Sequence, residues 1–194
     1  GITYTAGSVG IGTASVADYP LAVSGKMAIG YLQDSVIIGN GAGSNLTAAN
    51  ESVIIGHDAR TTGGTNSQRE IVIGARAISS QGIAIGYEAV GGTYGVTIGN
   101  GAGPAGVAIG NGAGANNTNT LNTYVGGGAG SSITSGQANT MVGQAANGAA
   151  TNSGQTVFGA QAVSSGTGAI AIGRLADSTS GISIGQQSKA TSGG

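Results

Sequence analysis

Ile83-Ala84-Ile85-Gly86-Tyr87-Glu88-Ala89 contains the pattern that decides this fold. Two aliphatic residues flank a variable one, a glycine follows, and three positions after the glycine stands a small residue. The same arrangement begins at Val36, Val53, Ile71, Val96, Val107, Thr123, Thr140, Thr156, Ile170 and Ile182. Its anchor glycines are Gly39, Gly56, Gly74, Gly86, Gly99, Gly110, Gly126, Gly143, Gly159, Gly173 and Gly185. The small residue is Ala42, Ala59, Ala77, Ala89, Ala102, Ala113, Ala129, Ala146, Ala162, Ala176 or Ser188. Met27-Ala28-Ile29-Gly30 reads as a twelfth copy.

Successive anchors are 17, 18, 12, 13, 11, 16, 17, 16, 14 and 12 residues apart. A fixed motif joined by variable connections marks a solenoid whose coils stack while their turns vary. Each triplet alternates with period two and is rich in Val, Ile and Thr, which suits a short strand. The glycine permits a turn or a close backbone approach. No stretch carries a useful helical period. The expectation is an all-β, parallel β-roll of about twelve short coils, each with two short strands. At about 4.8 Å per coil the rod would be about 55 Å long.

A rod this thin buries little surface. We expect the first and third triplet residues to face the interior and the middle one to face out. The middle positions are Ile37, Ile54, Val72, Ala84, Thr97, Ala108, Tyr124, Met141, Val157, Ala171 and Ser183, mostly apolar. An apolar outer face implies a partner, and self-association around a common axis would supply one. Residues 1–26 lack the repeat and read as a connecting β segment before a repeat domain at 27–194.

Composition narrows the function. The 194 residues include 41 Gly, six basic and seven acidic side chains, one His and no Cys. A net charge of −1 leaves no basic footprint for nucleic acid. No apolar run approaches the length of a bilayer span, so no membrane insertion is expected, and the N-terminal residues do not read as a signal peptide. The four Asp are too scattered for a calcium-binding repeat. The Gly-Asn-Gly-Ala-Gly segments at 39–43, 99–103 and 110–114 lack the following helix that a dinucleotide fingerprint needs. They read as repeat turns, and no cofactor is expected.

Eighty-five residues between Glu88 and Arg174 carry no charge. General acid–base chemistry needs such groups, so we expect no enzyme and assign no catalytic or metal-binding residue. His57 reads as a solvent-facing turn residue. Charge concentrates between Glu51 and Glu88. In stacked coils Asp58, Arg76 and Glu88 would form a ladder of alternating sign, worth about 0–1 kcal/mol per pair. The long turn 61–68 lies in the same region, and recognition tends to reside in turns on a rigid scaffold. Candidate receptor contacts are Arg60, Asn66 and Arg69, with Tyr31, Tyr87 and Tyr94 as faces on which sugars could stack.

The segments Ser35-Val-Ile-Ile-Gly-Asn-Gly-Ala42 and Ser52-Val-Ile-Ile-Gly-His-Asp-Ala59 resemble the head repeat of trimeric autotransporter adhesins of the YadA type. Residues 169–176 and 181–188 look similar. The resemblance covers about residues 27–190 and implies a left-handed parallel β-roll, three chains per head and a role in adhesion. Ser8-Val-Gly-Ile-Gly-Thr13 with Tyr19-Pro-Leu-Ala-Val-Ser-Gly25 resembles phage tail fibres, which often end in a self-cleaving intramolecular chaperone. Asn122-Thr-Tyr-Val-Gly126 and Asn139-Thr-Met-Val-Gly143 are similar to repeats of such fibres. The combined expectation is a trimeric host-attachment module of a virion tail fibre. Its partners would be its own copies, other fibre or virion proteins, and a glycan or protein receptor on a bacterial surface. A bacterial surface adhesin head and a passive fibre spacer are the alternatives.

Overall fold

In a computed structural model the described residues are 2–5, 8–11, 21–23, 35–44, 49–62 and 67–191. The chain divides into two units, Gly1–Gly30 and Tyr31–Gly194. In the first, Ile2–Thr5 pairs antiparallel with Ser8–Ile11, which pairs in parallel with Leu21–Val23. The copy at Met27–Gly30 lies outside the described residues.

The second unit is a β-solenoid, and its described residues contain no helix. Eleven three-residue strands, from Val36–Ile38 to Ile182–Ile184, form one parallel sheet in strict chain order. Each triplet pairs with the next in register, as in Val53↔Ile71, Ile54↔Val72 and Ile55↔Ile73. Two backbone bonds recur at every step: Val36 N–H donates to Ser52 O and Gly56 N–H to Ile38 O, both at 2.8 Å. A second face carries two-residue strands after the small residue. Arg60–Thr61 pairs with Ile78–Ser79. Asn147–Gly148, Val163–Ser164, Asp177–Ser178 and Lys189–Ala190 form a four-stranded ladder. The first two coils, of 17 and 18 residues, add a third pairing, Ala49–Asn50 with Ser67–Gln68.

The turn between the faces explains the motif. The anchor glycines have φ between +124° and +144°. A Cβ on Gly126 would lie 2.5 Å from the carbonyl oxygen of Gly143 in the next coil. Only glycine satisfies both the dihedral and the contact. The small residue then closes a four-residue turn, as Ala129 N–H donates to Gly126 O at 3.1 Å. The third residue of that turn is left-handed, as a type II turn requires. Its occupants include Gly128 at φ +67° and Ala145 at +54°.

The outward placement of the middle triplet residue is incorrect. Ile54, Val72, Ala84, Thr97, Ala108, Tyr124, Met141, Val157 and Ala171 are fully buried. The aliphatics on either side face outward, with Ile38, Ile98, Ile109, Phe158, Ile172, Ile182 and Ile184 all exposed. Period two fixes alternation along a strand but leaves its phase open. The phase is set by the width of the coil. The chain reverses immediately after the anchor glycine and brings the buried small residue back across the strand, leaving room for one inward side chain per triplet.

The inward side chain of the triplet is larger after long coils than after short ones. Coils of 16 to 18 residues lead into Ile54, Val72, Tyr124, Met141 and Val157. Coils of 11 to 14 lead into Ala84, Thr97, Ala108, Ala171 and Ser183. A longer coil encloses a wider cross-section, and close packing requires a larger side chain to fill it. The largest buried side chain, Tyr124, shares its core cluster with Ile133 and Met141. A Cβ on Gly114 would lie 2.7 Å from the Tyr124 ring, and the ring also lies against Gly130.

The position before each strand carries a buried polar column in the wider coils. Ser35 Oγ accepts from Ser52 N–H at 3.2 Å, and Ser52 Oγ from Glu70 N–H at 3.3 Å. Asn122 Oδ1 accepts from Asn139 N–H, and Asn139 Oδ1 from Gln155 N–H, both at 2.9 Å. These side chains satisfy backbone donors that would otherwise be buried without a partner. In the narrow coils the column is Gly82, Gly95 and Gly106. A Cβ on Gly82 would lie 2.6 Å from Gly95 O, so nothing larger fits.

Candidate functional site

Five of the charged residues between Glu51 and Glu88 sit at left-handed corners of their coils: Glu51, Asp58, Arg69, Arg76 and Glu88. In-register stacking puts Asp58, Arg76 and Glu88 at one corner of consecutive coils, with φ between 53° and 59°. Half of the expected ladder forms. Arg76 Nη1 meets Glu88 Oε1 at 2.8 Å, whereas Asp58 Oδ2 meets His57 Nδ1 of its own coil at 3.3 Å. The His57 side chain is exposed. Arg76 Nη1 also donates to the Tyr87 hydroxyl at 3.1 Å, and its guanidinium carbon lies 5.9 Å from the Tyr87 ring centre. Three contacts thus hold Arg76 along the coil edge.

The other corner, two residues before each strand, places Glu51, Arg69, Gln81 and Tyr94 in successive coils, all left-handed. Arg69 Nε donates to Glu51 Oε2 at 2.8 Å. That carboxylate raises the pKa of the guanidinium. Tyr94 is 82% exposed and stands alone at the end of this column.

The candidate contacts therefore fall into two groups. Arg69 and Tyr94 share the corner leading into the long sheet. Arg60 and Tyr87 lie on the far side of the anchor glycines; Tyr87 contacts Arg76, which lines the same groove as Arg60. Tyr31 and Asn66 lie outside the described residues. Beside the second group is a shallow groove of about 310 Å³ lined by Arg60, Arg76, Ile78, Glu88 and Val90. Arg60, Ile78 and Val90 occupy one register position in three consecutive coils, so they form a continuous column across the groove. Among the described residues, Arg60 and Arg174 have no ion-pair partner, while Arg69, Arg76 and Lys189 each have one. The sequence exposed these charges individually. The groove needed the register, which places Ile78 and Val90 in line with Arg60.

One carboxyl escaped the sequence reading. Glu70 occupies the buried polar column and is fully enclosed. Its Oε1 accepts from Gln81 N–H at 2.8 Å, and its Oε2 has no partner. Burial raises its pKa above the ordinary glutamate value, opposed by the Gln81 hydrogen bond. The signal was its position: Glu70 precedes Ile71 where Ser35 and Ser52 precede their own strands. Burial likewise raises the pKa of the Tyr124 phenol. Among the described residues, no three His, Asp or Glu side chains gather as a metal-binding group would require. Comparison with protein-family models, curated proteins and solved structures finds no match for this chain.

Proposed function

We propose that this chain is a homotrimeric, fibrous host-attachment module of the phage tail-fibre kind, which holds recognition groups along a rod against a bacterial surface receptor. One observation carries the reading. The outer face of the eleven-stranded sheet bears two columns of side chains, mostly aliphatic, along its whole length. One runs Val36, Val53, Ile71, Ile83, Val96, Val107, Thr123, Thr140, Thr156, Ile170 and Ile182. The other contains the third residue of each triplet, from Ile38 to Ile184.

Ten steps of about 4.8 Å and a width of about 10 Å give a strip on the order of 500 Å². That is near the upper end of what a monomer exposes, and such patches mark interaction sites. Two parallel columns suit a closed ring, in which the first column of one chain packs on the third-residue column of the next. Three copies would then present each weak receptor contact three times, raising avidity without a strong individual contact. The resemblance of the repeats and of residues 8–25 to fibre proteins supports the same reading.

Light scattering on the purified chain tests the assembly. The expected mass is three times 18.2 kDa and persists on dilution. Ile73→Glu and Ile85→Glu together should yield monomers. A stable monomer of the unmodified chain overturns the trimer. Binding of the labelled protein to host cells tests attachment. A trimer that binds no cell is a spacer, and a chain encoded beside an outer-membrane anchor is an adhesin head.

A further inference from the structure

We propose that the groove beside Arg60 binds a carboxylate carried on a sugar ring, as in a hexuronic acid. This names a receptor chemistry for the attachment module above and rests on that reading. Its volume of about 310 Å³ is at the small end of ligand sites, enough for one sugar ring. Three features select the ligand.

The first is the side chain of Arg60, an exposed residue without an ion pair. A planar fork of donors matches a carboxylate in a bidentate arrangement. The second is charge. Arg60 and Arg76 contribute two positive charges to the groove and Glu88 one negative, so a single anionic charge balances it. A phosphate dianion would overshoot and face the Glu88 carboxylate, which is already fixed on Arg76 at 2.8 Å. The third is the apolar floor. Ile78 and Val90 follow Arg60 at steps of about 4.8 Å, a flat aliphatic surface that suits the C–H face of a pyranose. Tyr87, tied to Arg76 at the groove edge, offers a second face to an adjoining sugar.

The experiment is an NMR titration of the full chain with the methyl glycoside of galacturonic acid, its methyl ester and inorganic phosphate. The acid should bind at least about tenfold more tightly than the ester, the loss expected for one charge-assisted pair. Arg60→Gln should weaken the acid by a similar factor, and Arg60→Lys, which keeps charge but loses the fork, by less. Arg174→Gln removes the other unpaired arginine and should leave binding within about twofold. Arg60 is exposed and unpaired, so its variants should melt with the unmodified protein, which separates lost binding from lost folding. Equal binding of acid and ester overturns the proposal. So does an Arg60→Gln variant that binds normally, a phosphate that competes as well as the uronate, or no saturation by the acid. Cell attachment that persists without uronate binding removes this inference and leaves the attachment reading intact. Uronate binding without cell attachment does the reverse.

Discussion

Gly126→Ala and Gly128→Ala place the same methyl group two residues apart in one turn, with very different expected costs. At Gly126 φ is +129°, and the new Cβ would lie 2.5 Å from the carbonyl oxygen and 2.6 Å from the carbonyl carbon of Gly143. The obstacle is backbone, fixed by the Gly143 N–H to Val125 O bond at 2.8 Å, so it cannot rotate away. The dihedral costs about 1–3 kcal/mol for a residue with a Cβ. Forcing the coils apart adds about 1–3 kcal/mol. At Gly128 φ is +67° and nothing lies within 4 Å of the new Cβ. The cost there is the left-handed conformation alone, about 1–2 kcal/mol. Ala145 already accepts that conformation one coil later.

Both changes replace glycine by alanine, so their effects on the unfolded chain cancel in the comparison. The expected gap is about 1–4 kcal/mol. Urea unfolding followed by circular dichroism reads it as a midpoint lower by roughly 1 M for Gly126→Ala, given usual slopes of about 1–3 kcal/mol/M. Amide exchange at Gly143 should accelerate in that variant alone. Equal midpoints would refute the stacked-glycine account of the repeat.

Glu70 makes stability depend on pH in the direction opposite to a paired carboxylate. Its folded pKa lies above the ordinary value, so the stability carried by its protonated form is fully present below the unfolded pKa and declines as pH rises toward and through the folded value. Glu70→Gln should therefore melt higher than the parent at pH 8 and nearly with it at pH 3.5, and a gap independent of pH would refute this. Tyr124→Ala removes the largest buried side chain and should cost about 3–5 kcal/mol by denaturant unfolding; a loss below about 1 kcal/mol would mean the ring is not core. Asn139→Ala strands Gln155 N–H and Asn152 O, each at about 1–3 kcal/mol, with accelerated exchange at Gln155 as its signature. Glu88→Gln removes the exposed pair with Arg76 and should shift stability by no more than about 1 kcal/mol, less at high salt.

The architecture was legible in the sequence because each coil repeats a local rule. Alternating β-branched residues impose a strand, an anchor glycine reverses the chain, and the small residue marks where backbone returns close by. These are short-range constraints, so one dimension carries them. The tertiary structure decided the phase of each strand, which alternation leaves open until the coil's width is known. It therefore moved the apolar outer face from the middle triplet position to the two flanking ones. A trace of that choice was present, since Ala84, Ala108 and Ala171 follow short coils and Ile54, Tyr124 and Met141 follow long ones. Only a side chain confined inside the coil needs to track its width. The groove at Arg60 was the least legible feature. Its members lie at 60, 76, 78, 88 and 90 in coils of unequal length, and only stacking in register converts those separations into neighbours.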